Sequence, residues 1–141
     1  SLGKLKAENV YVFLDACFSG AAGRSEEQKL LFEGARPGLI KIKDPALTQD
    51  NLIVFSATGA NQVSNAYPEM EHGLFTYFLL KGLGGEGTQK QAGLIRVDDL
   101  ATYVRTNVDN TSRRIFGKNL LQTPVAKWGR GREDTIIVKT P

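Results

Sequence analysis

The single cysteine, Cys17, stands in Asp15-Ala16-Cys17-Phe18-Ser19-Gly20, directly after an apolar run. A thiol just past a buried strand, in a glycine-rich turn, is held rigidly and stays reachable from solvent, as a nucleophile must be. Free cysteine is also among the most buried residue types, so position alone supports a packing role equally well. The neighbours favour chemistry. Ala16 is small and Ser19-Gly20 leave backbone N–H groups accessible, as an oxyanion hole requires. Asp15 precedes Cys17 by two residues, so strand alternation turns both side chains to the same side.

The element that must carry these residues is Val10-Tyr11-Val12-Phe13-Leu14, a β-branched and aromatic run of strand type. It is apolar at nearly every position, which predicts an inner parallel strand covered on both faces. Gly20 and Gly23 place a turn at its carboxyl end, the end that carries sites in open α/β sheets. Residues 24 to 50, with a charge cluster from Arg24 to Lys29 and interruptions at Gly34, Pro37, Gly38 and Pro45, read as a long surface loop. A second buried strand is expected over Leu52-Ile53-Val54-Phe55-Ser56-Ala57, followed by turn residues Thr58 to Gln62. Gly73 to Leu83 has apolar residues at 75, 78, 79 and 83, the spacing of a buried helix face, with Gly84-Gly85 as its stop. After a polar loop from Glu86 to Gly93, Val97-Asp98-Asp99-Leu100 opens a second helix with apolar positions 100, 103, 104 and 108, ending near Asn110. Gln122-Thr123-Pro124-Val125 is extended because of its proline, and Thr135-Ile136-Ile137-Val138 reads as a last short strand. Strands alternating with helices predict an α/β layered fold with a mostly parallel sheet.

Composition narrows the function classes. The 141 residues, 41% hydrophobic and 23% charged, suffice for one core and not two. No apolar run approaches the roughly 20 residues of a membrane span, and SLGKLKAENV lacks the apolar middle of a signal peptide, so a soluble, cytoplasmic domain with no membrane partner is expected. One cysteine excludes an intrachain disulfide, and one histidine, His72, excludes the common multi-ligand zinc sites. No cofactor or metal is called for. The excess of 18 Lys+Arg over 15 Asp+Glu is small enough to be a solvated face. Lys127-Trp128-Gly129-Arg130-Gly131-Arg132 has the composition of a single-strand nucleic-acid binder, but so short a segment is explained as well by a surface connection, and nucleic acid ranks last among partners.

Val10 to Gly20, VYVFLDACFSG, resembles the nucleophile segment of the caspase-like cysteine peptidases, whose caspase form is Q-A-C-[RQG]-G. Asp15 stands at the glutamine position, and the D-x-C-x-S-G form is similar to the metacaspase and bacterial version. Asn51 to Leu83 resembles the segment opening the caspase small subunit, and Val97 to Val108 with Gln122-Thr123-Pro124 resembles the later helix and its frequent Q-x-P ending. The resemblance implies a caspase-like three-layer sandwich, seen as its second half: a nucleophile strand and turn over 1–23, an intersubunit-type loop over 24–50 and a small-subunit-like part over 51–141.

It also implies a mechanism, in which Cys17 attacks the scissile carbonyl, forms an acyl-enzyme and is released by water. The histidine base and half of the oxyanion hole come, in such enzymes, from a His-Gly pair about 50 residues ahead of the cysteine, in an N-terminal segment or chain not contained here. His72 lies on the wrong side of Cys17 for that role, between Glu71 and Gly73 at a helix start, and is read as a surface residue. Asp15 is placed beside the pocket for the residue before the scissile bond, where a carboxylate favours Arg or Lys; the alternative is an acid capping backbone N–H groups of its own turn. Caspases that require Asp use an arginine in a Ser-Trp-Arg segment, and the matching positions are Ser64-Asn65-Ala66, so the arginine is gone. Ser56, Ser64 and Asn65 are the remaining candidate substrate-binding residues, Ser64 and Asn65 by strand addition. Calcium sites of metacaspases involve paired aspartates after the second strand, where Ala60-Asn61 offers no carboxylate. Lys29, Arg36, Lys41 and Lys43 would suit self-cleavage by a basic-specific enzyme, although solvated loop lysines are commoner. The expectation is a cysteine endopeptidase cutting peptide or protein substrates after Arg or Lys. The alternative is a catalytically inactive caspase-like binding or regulatory module.

Overall fold

The computed structural model describes residues 5–15, 50–58, 66–67, 72–88, 93–117 and 121–139. The two apolar runs form strands β1 (Val10–Leu14) and β2 (Leu52–Ser56), paired in parallel from Val10↔Leu52 to Leu14↔Ser56. Phe13 and Phe55, opposite each other in that register, bring their rings to 5.3 Å between centroids. Such aromatic pairs contribute about 0.5–1.5 kcal/mol beyond area burial. The covering expected on both faces of β1 is not found among the described residues: Phe13 is 39% exposed and β1 ends the strand order β1–β2–β6. The inner place belongs to β2, whose Ile53 and Phe55 are fully buried.

Two-residue strands β3 (Ala66–Tyr67) and β4 (His72–Gly73) form a small antiparallel pair that leads straight into helix α1 (Leu74–Lys81). The regular helix is thus shorter than the predicted 73–83. A wide turn follows over Gly82–Glu86, and the helical backbone breaks at Gly85, whose φ of 124° is a conformation open to glycine, so the expected stop lies in the Gly84-Gly85 pair. Lys81 bridges to Glu86 at 3.1 Å across this turn, and the Tyr103 hydroxyl donates to Glu86 Oε2 at 2.6 Å. The Tyr103 hydroxyl is held well above its ordinary pKa, first by burial and then by Glu86. Glu86 is lowered, first by the Tyr103 hydrogen bond and then by Lys81.

Strand β5 (Leu94–Arg96) precedes helix α2 (Val97–Phe116) and pairs antiparallel with β7 (Ile136–Lys139), while β6 (Val125–Trp128) runs antiparallel along β2. Helix α2 starts as predicted, with Asp98 and Asp99 in its first turn, where they complement the helix dipole. The backbone N–H groups of Val97 and Asp98 donate to the carbonyls of Thr135 and Glu133, so the opening of α2 is capped by the chain entering β7. The helix runs past Asn110 to Phe116 because its polar residues there have partners: Arg113 pairs with Asp109 at 3.1 Å and Ser112 Oγ donates to the Asp109 carbonyl at 3.0 Å. Leu100, Val104 and Val108 face the core formed with Ile53, Phe55, Leu74, Phe75 and Ile95. Full burial of each such side chain contributes about 1.5–3 kcal/mol. The order is α/β; among the described residues β1–β2 is the parallel pair, and the pairs β2–β6, β3–β4 and β5–β7 are antiparallel. No helix among the described residues is long and apolar enough to cross a membrane.

Candidate functional site

The parallel register of β1 and β2 brings their carboxyl ends together, so Ser56 lies opposite Leu14, the residue before Asp15. The ladder runs one bond further, with the Ala57 N–H donating to the Leu14 carbonyl at 2.9 Å. The chain is therefore pinned up to the residue before Asp15. The Ser56 hydroxyl donates to the Thr58 carbonyl at 3.0 Å, which fixes its orientation in a half-buried place at the end of β2. On the other side of Ala57, the fully buried Gln122 donates from Nε2 to the Ala57 carbonyl at 3.0 Å. Its backbone N–H in turn donates to Ser112 Oγ of α2 at 3.1 Å. The Gln-Thr-Pro stretch is thus the brace that ties the end of β2 to α2, with Thr123 Oγ1 donating to Asp109 Oδ1 at 3.0 Å.

Asp15 is exposed and reaches across to the start of α1, where Thr76 Oγ1 donates to Asp15 Oδ2 at 2.5 Å. The partner in this contact is 61 residues away in sequence. Gly73 makes room for it: a Cβ there would lie 2.7 Å from Asp15 Oδ2. Gly73 is the N-cap of α1 and offers no side-chain cap, and the first turn of α1 holds no acid of its own. A carboxylate brought from β1 supplies negative charge at that helix start, where the dipole favours it. His72 occupies β4, opposite Tyr67 and one residue ahead of the N-cap, instead of opening the helix itself.

Cys17, Ser64 and Asn65 lie outside the described residues, as do Ala60-Asn61 and the stretch 24–49. Of the predicted site residues, the structure brings Asp15 and Ser56 to the same end of the β1–β2 pair. Thr76 was missed by sequence reading, and nothing local signals it: a threonine in the third position of an amphipathic helix is ordinary. Among the described residues no group of three or more His, Cys, Asp or Glu side chains is arranged to hold a metal ion.

The basic segment after Pro124 is also resolved into roles. Trp128 packs against the core from β6, and Arg132 donates from Nε to the Asp50 carbonyl at 2.9 Å and from Nη1 to Asn9 Oδ1 at 3.0 Å. Trp128 is therefore engaged in core packing and Arg132 in holding the segments that lead into β1 and β2.

The sequence profile of the caspase domain matches residues 2–128, most of the chain. No curated protein matches it.

Proposed function

The chain belongs to the caspase domain family, and on that premise we propose that it acts as a cysteine endopeptidase of the metacaspase-like kind, cutting after Arg or Lys. Membership suggests cysteine peptidase activity; the observation that carries the basic preference is the Asp15 carboxylate. It stands two residues before Cys17 and is held by Thr76 at the open end of β1. Exposed and fixed, it offers a cationic side chain a charge partner that need not reorganise.

In this reaction Cys17, as thiolate, forms a bond to the carbonyl carbon before the scissile bond, and the oxyanion is held by backbone N–H groups. The tetrahedral intermediate collapses with expulsion of the amine, which takes a proton from the general acid. Water then adds to the thioester, giving up its proton to the same group as base, and the thiolate leaves. In this reading the histidine that exchanges these protons is supplied by a His-Gly pair on an N-terminal segment or chain of the same protein, not by His72. Ser56 lines the end of β2 beside the substrate, and Ser64 and Asn65 pair with its backbone; in support, the residues that follow them form strand β3. The proposal includes the three-layer sandwich with a mostly parallel sheet, of which β1 and β2 supply one parallel step.

The test is hydrolysis of fluorogenic peptides ending in Arg, Lys or Asp by the protein carrying its upstream histidine segment, beside Cys17→Ala. Cleavage after Arg and Lys, lost in Cys17→Ala, is expected. Cleavage confined to Asp would refute the specificity, and hydrolysis undiminished in Cys17→Ala would refute the nucleophile.

A further inference from the structure

We infer that Thr76 is a positioning residue for substrate recognition, setting the Asp15 carboxylate in the orientation that discriminates a cationic side chain from a neutral one. The inference rests on the proposed role of Asp15 and adds what holds it. An exposed aspartate on a strand end samples several rotamers, and ordering it on binding costs affinity. Here the ordering is done beforehand by two rigid elements. The backbone before Asp15 is fixed by the Ala57 N–H to Leu14 carbonyl bond. The hydroxyl that donates to Asp15 Oδ2 is held in place because its neighbours Leu74 and Phe75 are 0% and 1% exposed, which anchors the first turn of α1. Gly73 completes the seat, since any side chain there would collide with the same oxygen.

Two features show that this contact is more than a helix cap. A cap is ordinarily supplied by the residue at the N-cap position, within a few residues of the N–H groups it serves. Here the bond is between two side chains, and its acceptor comes from 61 residues away, from the residue two places before the lone cysteine. The hydroxyl–carboxylate bond is also exposed, where it adds little to folding stability but ties one oxygen of the carboxylate to α1.

The experiment measures equilibrium binding of two fluorescent peptides, identical except for a terminal arginine or its uncharged isostere citrulline. Fluorescence polarisation reads binding to the full chain in a Cys17→Ala background that cannot turn them over. Thermal denaturation of each variant runs in parallel. The parent is expected to prefer arginine, and Asp15→Asn to abolish that preference. Thr76→Val keeps the shape and removes the donor, so the arginine-to-citrulline ratio should fall about tenfold, the size of one charge-assisted hydrogen bond's contribution in a partly solvated place. Thr76→Ser should restore most of it. Gly73→Ala, with Thr76 intact, should lower the ratio similarly by displacing Oδ2, so the inference is tested even if Thr76→Val folds poorly. A ratio lost in Asp15→Asn but kept in both Thr76→Val and Gly73→Ala overturns the role of Thr76 alone. Equal weakening toward both peptides, with the ratio unchanged, also overturns it, because that is what a merely structural residue would do. A parent ratio near one overturns the basic-pocket proposal itself, and this inference with it.

Discussion

Replacing Gln122 tests the brace behind the site most directly. The side chain is 0% exposed and its Nε2 donates to the Ala57 carbonyl at 3.0 Å, while the Ala57 N–H donates to Leu14. Ala57 is thereby clamped from both sides at the point where β2 ends. Gln122→Leu has nearly the same volume and opens no large cavity, so its cost is that of leaving a buried carbonyl without this donor, about 1–3 kcal/mol. Gln122→Ala adds a void, and the two effects together should reach about 3–4 kcal/mol, or roughly 10 °C in Tm for a domain of this size. Gln122→Glu should carry a pH signature. A buried carboxylate facing a carbonyl has its folded-state pKa raised, so stability is retained below the unfolded value near 4.3 and lost as pH rises through the folded one. Urea denaturation followed by circular dichroism, for the leucine and alanine variants at pH 7 and the glutamate variant at pH 4 and pH 7, measures all three. Gln122→Leu within about 0.5 kcal/mol of the parent, with a glutamate variant indifferent to pH, would refute the view that Gln122 sustains the end of β2.

Two further outcomes follow from contacts elsewhere. Arg132→Ala removes hydrogen bonds to the Asp50 carbonyl and Asn9 and should lower stability by about 1–2 kcal/mol in urea denaturation; unchanged stability would return Arg132 to the free basic surface. Tyr103→Phe should flatten the alkaline limb of the stability profile. The folded-state pKa of Tyr103 is raised above its ordinary 10.0, so its contribution is fully present below pH 10 and is lost as pH rises above it. An alkaline limb identical in both proteins, followed by thermal melts from pH 8 upward, would contradict the Tyr103–Glu86 contact.

What was legible in the sequence was what repeats locally. β1 and β2 are uninterrupted β-branched and aromatic runs, and Leu100, Val104 and Val108 recur at helical spacing, so their elements could be placed to within a residue or so at their starts. The end of α2 was misjudged because Asp109 to Ser112 is a polar stretch that by propensity favours stopping. Its helicity is secured by Ser112 meeting Gln122, ten residues on. Strand β5 is three residues long, too short to show a period. β6 has no local signature because Lys127 and the arginines after it give the segment a charged composition, whereas Trp128 packs against the core and Arg132 closes on Asn9, 123 residues away. For the site, Asp15 was recognisable from its place before Cys17. Its seat on Gly73 and Thr76 was not, since a contact across 61 residues leaves no local pattern.

The strand order β1–β2–β6 also bears on how the chain comes together in time. The central strand takes one neighbour from residues 10–14 and the other from residues 125–128. Tyr11 and Arg132 add contacts spanning 125 and 123 residues, the Tyr11 hydroxyl donating to the Ile136 carbonyl at 3.5 Å. Ladder pairing at such separations must overcome loop-closure entropy before it yields any gain, so the sheet matures late and slowly compared with the α1–α2 contact. A nascent chain that has released β2 from the ribosome but not yet β6 carries Ile53 and Phe55 on a strand with one edge unsatisfied. Strand β6, 69 residues after β2 in the chain, is therefore the one that closes the aggregation-prone edge of β2.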